Sequence, residues 1–206
     1  MLADPTRTLP NVPALPGPDG RLRCPWAVGD PEYTRYHDEE WGVPLHGDRA
    51  LFEKLSLEGF QSGLSWITIL KRRDAFRTAF AGFEPDRVAA FGEEEVERLV
   101  QDPRIIRNRA KIQAVVGNAR ALVALEAERG ADALDALVWS HVPEPRTAPR
   151  PSEATELPAR TTESSALGSA LKRLGFRFVG PVTVYALMQS GGLVDDHLAG
   201  CWRAAP

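Results

Sequence analysis

Apolar residues recur three and four positions apart along almost the whole chain after Arg23, and no stretch sustains the period-two alternation of a half-buried strand. A chain patterned in this way folds as helices packed on helices. Ile112, Val115, Ala119 and Leu122 follow a 3-4-3 spacing, and Leu167, Ala170, Leu171 and Leu174 repeat the theme. Asp30 before Pro31 reads as an N-cap followed by proline at the first helical position, opening a helix that carries Tyr33, Tyr36 and His37. Asp48 is expected to cap the next helix. The expected fold class is all-α. At 206 residues and 43% hydrophobic, the chain can bury one good-sized core, divided into two helical lobes.

Charge and composition then exclude several classes. The formal net charge is −3, whereas a nonspecific polyanion binder is usually strongly basic, so any contact with nucleic acid has to come from a local patch. Two cysteines cannot supply a disulfide framework, and no apolar stretch approaches the roughly 20 residues of a membrane span. The expectation is a soluble cytoplasmic protein with no membrane association. Residues 1–21, rich in proline and glycine and without the apolar core of a signal peptide, are expected to be a disordered leader to a single domain over 22–206. Pro143 to Ser165 is rich in Pro, Thr, Ser, Arg and Glu, and is expected to be a long loop crossing between lobes.

The two cysteines sit near opposite ends of that domain, each with a histidine close by: Cys24 with His37, and His197 with Cys201. Four residues on a helix would put His197 and Cys201 on one face, and the first pair would complete a tetrahedron. With four protein ligands and no vacant position, a zinc ion held there would be structural. Isolated thiols with unrelated histidines fit the same spacing.

Chemistry first surfaces at Glu58. Helical spacing places it on the stripe of Leu51 and Leu55, so a carboxylate points where apolar groups point, a position tolerated when it is hydrogen-bonded or meets a cation. Alternatively, the helix ends at Gly59 and the carboxylate swings out to solvent. Trp26, Tyr33, Tyr36, Trp41 and Trp66 cluster in the same stretch; aromatic faces make a slot for a flat ring and favour a cationic one, although most aromatics at helical spacing are core. Further on, Gly175-Phe176-Arg177-Phe178-Val179-Gly180 separates a helix ending near Leu174 from one beginning at Pro181, with Lys172, Arg173 and Arg177 adding positive charge. Free N–H groups at the start of the second helix suit a DNA phosphate.

Arg23-Cys24-Pro25-Trp26, Tyr36-His37-Asp38-Glu39-Glu40-Trp41-Gly42-Val43-Pro44, Leu57-Glu58-Gly59-Phe60-Gln61-Ser62-Gly63-Leu64-Ser65-Trp66-Ile67 and Val194-Asp195-Asp196-His197 with Cys201 together resemble the 3-methyladenine DNA glycosylase I family. The resemblance runs from Cys24 to about Trp202. It implies a helix-hairpin-helix glycosylase acting in base excision repair on double-stranded alkylated DNA, with a structural zinc on Cys24, His37, His197 and Cys201. It also implies that Glu58, Tyr36 and Trp66 contact the flipped N3-alkylated adenine, with Trp26 and Trp41 shaping the pocket.

Within the wider superfamily, members that also cleave the backbone carry a lysine two residues after the second hairpin glycine; Val182 stands there, so the enzyme is expected to be monofunctional. Asp195 matches the superfamily's catalytic aspartate, and either stabilises the sugar cation or only caps a helix near the zinc ligands; the structural role is favoured. Gly63 and Leu64 are candidates for the wedge filling the gap left by the extruded nucleotide. Gly175, Arg177, Val179, Gly180 and Lys172 are candidate DNA contacts, and the basic run Arg104, Arg107, Arg109 and Lys111 either meets phosphates or is a solvated helix face. A monomer is expected. The rivals are a noncatalytic binder of damaged DNA and a zinc hydrolase.

Overall fold

The computed structural model describes residues 13–144 and 149–204. Ten α-helices dominate them: α1 (Pro31–Glu39), α2 (Asp48–Gln61), α3 (Trp66–Leu70), α4 (Arg73–Ala79), α5 (Pro85–Ala89), α6 (Glu93–Gln101), α7 (Arg109–Arg129), α8 (Ala133–Trp139), α9 (Thr162–Arg173) and α10 (Pro181–Ser190). The helical expectation holds, and local chemistry explains several starts. Proline at the first position opens α1, α5 and α10, and Asp30 caps α1 by accepting from the Glu32 and Tyr33 amides. Asn108 caps α7, whose Ile112, Val115, Ala119 and Leu122 are all buried as their spacing predicts.

α7 packs on α5, α6, α8 and α2, while α10 packs on α9 and α2. Helix α2 is thus shared by both groups. The buried apolar side chains form one large cluster running from Leu51 to Leu193 and a small one around Cys24, Leu198 and Cys201. The second is where the two ends of the chain meet. α9 and the hairpin approach closely because residue 168 is glycine: a Cβ there would lie 2.8 Å from the Val179 carbonyl oxygen.

Four expectations need correction. Residues 1–12 of the expected leader lie outside the described residues, but 13–21 are structured: β1 (Leu15–Pro16) pairs antiparallel with β2 (Leu22–Arg23), and Asp19 binds the buried Arg23 guanidinium. This two-residue ladder is too short to register as alternation. The expected loop from Pro143 to Ser165 is interrupted by a single helical turn at Ala154–Glu156 and ends early, because Thr161 caps α9 at the Ser164 amide; residues 145–148 lie outside the described residues. Asp48 does not cap its own helix. It is the first residue of α2, and its carboxylate accepts from the Leu134 and Asp135 amides at the start of α8, while Asp135 accepts from the Gly47 amide.

The fourth correction concerns the basic run. Lys111 is buried and donates to the Phe60 and Ser62 carbonyls at 2.9 and 2.6 Å, closing the carbonyl end of α2. Arg104 pairs with Asp102, and Arg109 with Glu93 and Glu97. Within the run, Arg107 alone is an exposed cation without a carboxylate contact among the described residues, so the run is mostly internal bracing and not a phosphate-facing stripe.

Candidate functional site

α2 continues through Gly59 to Gln61, so Glu58 does not swing out at a helix end. Its side chain is 4% exposed, and the Ser190 hydroxyl of α10 donates to it at 3.0 Å. Burial pushes the Glu58 carboxyl up to about 7, against the opposing pull of the Lys54 charge and the Ser190 hydrogen bond. Glu58 opens onto a cavity of about 380 Å³ whose walls include Trp26, Tyr33, Tyr36, Trp41 and Trp66, with Gln61, Gln189 and Asp196 at its polar margin. All five clustered aromatics therefore line the same hollow as the carboxylate.

The rings hold one another at angles that suit a slot. Trp26 meets Tyr33 and Trp41 edge-on at 5.5 and 5.2 Å, and Tyr36 tilts against Trp66 at 5.6 Å. Tyr33 accepts from the Ile67 amide at the start of α3, which ties α1 to the helix carrying Trp66. The Trp66 indole N–H is buried and has no hydrogen-bond partner among the described residues. Such a hollow has the shape for a flat ring and places a carboxyl group beside it.

Directly behind Trp26 and Trp41 lies the Cys/His cluster. The ligand atoms of Cys24, His37, His197 and Cys201 all lie within 4.8 Å of one another and are buried. The Cys201 sulfur is 3.4 Å from His37 Nε2 and 3.6 Å from His197 Nδ1, and the Cys24 sulfur is 3.9 Å from His197 Nδ1. A tetrahedron built on zinc bonds of about 2.0–2.3 Å has edges of roughly 3.3–3.8 Å, so the donor set fits such an ion. His37 donates Nδ1–H to Asp38 at 2.8 Å, leaving its Nε2 lone pair facing the cluster. Burial raises Asp38, yet hydrogen bonds from Arg23, His37 and Trp202 outweigh it and hold the carboxyl below its ordinary range. Gly42, at φ +77°, passes so near that a Cβ would sit 3.0 Å from His197 Nε2.

The methyladenine glycosylase family pattern matches residues 26–204. This chain belongs to that family. It is 50% identical over 179 residues to DNA-3-methyladenine glycosylase 1 of Escherichia coli K12, covering 87% of this chain and 95% of the relative. A crystal structure of a 3-methyladenine DNA glycosylase I superposes with a TM-score of 0.84 at 48% identity, covering 89% of this chain and all of the other. A tyrosine-to-phenylalanine variant of a 3-methyladenine DNA glycosylase I, solved in complex with 3-methyladenine, superposes with a TM-score of 0.81 at 35% identity, covering 89% of this chain and 98% of the other. The resemblance read from the motifs is thereby borne out, and the chain is a glycosylase enzyme.

Other residues that the motifs singled out in this methyladenine glycosylase sit as follows. His197 and Cys201 are not on a helix; the segment is irregular, with Gly200 at φ +83°, and the two side chains converge through a turn. Asp195 therefore caps no helix. It accepts from the His197 amide at 3.2 Å and from Arg150 Nη2 at 2.7 Å, bracing the loop that carries two of the cluster residues. Gly63 (φ +82°) and Leu64 form the turn between Gln61 and Trp66, and Leu64 is 40% exposed. In the hairpin, Gly175 takes φ +93°, Val179 is buried, Gly180 precedes Pro181 as the N-cap of α10, and Lys172 and Arg177 are exposed.

Sequence reasoning missed three positioning residues. Asn118 of α7 grips the hairpin backbone, donating to the Arg177 carbonyl at 3.0 Å and accepting from its amide at 2.7 Å. Arg150 also donates to the His197 carbonyl and so fastens the loop whose Ala154, Leu157 and Pro158 close one wall of the cavity. Lys54 donates to the Tyr36 hydroxyl. A polar residue on the buried face of α7 was the one available signal, and it pointed to Asn118.

Proposed function

We propose that this glycosylase excises 3-methyladenine, or another N3-alkylated adenine, from alkylated duplex DNA by hydrolysing the N-glycosidic bond of a nucleotide flipped into the aromatic cavity. The reading is carried by one observation: the buried carboxylate of Glu58 and the rings of Tyr36, Trp66, Trp26 and Trp41 share a single hollow. The named relatives and the solved complex with 3-methyladenine support it.

The lesion is a cation and already a good leaving group. With its acid near 7, Glu58 is part-ionised at neutral pH, and an entering cationic ring draws it fully to the anion, so the pocket binds charged purines in preference to ordinary adenine. The aromatic faces add stacking and cation–π attraction, which offset an extrusion cost of a few kcal/mol. As the glycosidic bond breaks, its electron pair returns to the purine and neutralises it, and water adds to the oxocarbenium-like sugar, losing a proton to solvent. Neutral adenine lacks that sink for electrons. Val182, 60% exposed at the start of α10, offers no amine for a Schiff base, which supports a monofunctional enzyme.

Leu64 is suited to wedge the stack, and the Gly175–Gly180 hairpin with Lys172, Arg177 and Val179 to hold a phosphate against the start of α10. We assign a structural zinc to Cys24, His37, His197 and Cys201: when bound, the ion would pin the two ends of the domain behind Trp26 and Trp41. Asp195 keeps its structural reading because Arg150 already neutralises it. Asp195→Asn is expected to excise within about threefold of wild type, since an exchanged partly exposed ion pair costs little; a large fall in single-turnover rate at unchanged stability would instead make Asp195 catalytic. The function itself is tested by incubating the protein with methylated DNA and identifying released purines by chromatography. Free 3-methyladenine is expected; its absence despite binding to the damaged DNA would favour the noncatalytic binder.

A further inference from the structure

We propose that Lys54 is a positioning residue of the base pocket, its ammonium orienting the Tyr36 hydroxyl and favouring the anionic form of the Glu58 side chain from one helical turn away. The proposal rests on the reading of the pocket given above.

Lys54 stands one helical turn before Glu58 on α2, so the two side chains are neighbours on one face. Its Nζ donates to Tyr36 Oη at 3.0 Å and lies 4.9 Å from the Tyr36 ring centre and 5.4 Å from that of Trp66. An ammonium has only donors, so the phenol accepts from Lys54 and must send its own proton elsewhere. Ser190 donates to Glu58 and lines the same hollow as Tyr36, so lysine, phenol, hydroxyl and carboxylate stand around one corner of the pocket.

The ammonium is not sealed in with the carboxylate. Lys54 borders a second cavity of about 260 Å³, on the far side of Trp66 and Ser190, lined also by Glu40, Glu53, Arg73 and Arg77. There the other cations are already taken: Arg73 pairs with Glu40 and Arg77 with Glu53. Of the cations lining that cavity, Lys54 alone has no carboxylate ion pair among the described residues, and Glu58 is the acid one turn on along its own helix. The groups facing Glu58 are few. Tyr36 comes from α1, Ser190 and Gln189 from α10, and Asp196 from the loop that follows, where Tyr185 and Gln189 already hold it, while Glu40, just past α1, and Arg73 of α4 act on Tyr36 and Lys54. Lys54 is the cation that acts on the Glu58 charge. Burial raises the Glu58 acid and depresses the Lys54 ammonium, while each charge favours the other. The lysine acts from behind the aromatic wall, so it sustains the anion without occupying the base's place.

The test is a carbon-13 carboxyl NMR titration of Glu58, assigned by its absence in Glu58→Gln, in wild type, Lys54→Gln, Lys54→Met and Lys54→Arg. The Glu58 midpoint is expected to rise by about one unit or more in both neutral variants and to return in Lys54→Arg. Lys54→Gln retains a donor for Tyr36 without the charge, and it remains informative should Lys54→Met not fold. The acid limb of single-turnover excision should move with the midpoint. An unmoved Glu58 midpoint in a folded neutral variant would overturn the proposal, as would a uniform loss of rate at every pH. If wild type released no 3-methyladenine, the proposed function would fail, while the titration would still decide whether Lys54 governs Glu58.

Discussion

Glu58→Gln is expected to be both a poorer enzyme and a more stable protein. Glutamine fills the same volume and can still accept from Ser190, but it brings no charge to meet a cationic purine. A hydrogen bond to an ionised partner is worth about 1.5–3 kcal/mol against about 0.5–1.5 for a neutral one, and the difference corresponds to a fall in single-turnover excision of about 10-fold. Stability moves in the opposite direction, and the sign follows from proton uptake. The native carboxyl titrates near 7 and its ordinary value is 4.5, so between those values the native state holds the proton that the unfolded chain has lost. Wild-type stability therefore declines as pH rises through that window, and the full cost of the buried anion, on the order of 3 kcal/mol, is present above pH 7. Glutamine removes it. Urea denaturation at pH 5 and pH 8 should find the variant more stable than wild type at pH 8 and nearly equal at pH 5, while base release is slowed. A variant equal to wild type in stability at pH 8 would mean that the carboxylate is solvated and not poised in the pocket.

That opposition explains how much of this molecule was legible in its sequence. A carboxylate on the Leu51–Leu55 stripe is a local inconsistency, and such inconsistencies mark sites. The aromatic cluster and the paired Cys and His residues were visible for the same reason: their chemistry is independent of where the chain goes between them. What could not be read was bracing by residues distant in sequence. Asp48 looks like a cap for its own helix, and only the fold brings α8 to it. Lys111 reads as one of several surface cations until the end of α2 arrives beside it. The spacing of His197 and Cys201 fits a helix equally well as a glycine turn, since either brings the fourth side chain round to the first. Arg150 sits in a segment whose composition indicates a loop, and nothing local says that the loop is fastened to a pocket wall. Periodicity reports burial along one element; it is blind to polar contacts between elements.

Stripping metal from the protein is expected to loosen its ends before its centre. Cys24 and Cys201 are 177 positions apart in the chain, so an ion held by both pairs closes nearly the whole domain. By analogy with a covalent cross-link of that span, the constraint is worth roughly 5 kcal/mol, or a fall in Tm of about 10–20 °C for a domain of this size. The residues that hold the cluster on the C-terminal side have no helix of their own, whereas α7 is buried along its length in the large core. Hydrogen exchange after chelation should therefore rise first across residues 194–204 and 22–38, with α7 still protected. Excision should weaken too, because Trp26 and Tyr36 are close neighbours of Cys24 and His37 in both sequence and space. Reconstitution with cobalt separates that indirect loss from catalysis by the metal. Four protein ligands leave no open position for water, so the cobalt form should display thiolate charge-transfer absorption, recover its Tm and excise at the zinc rate. A cobalt enzyme with an altered rate or pH profile would put the metal in the reaction. A metal-free protein with wild-type Tm would reduce the four residues to buried thiols and imidazoles packed for their shape.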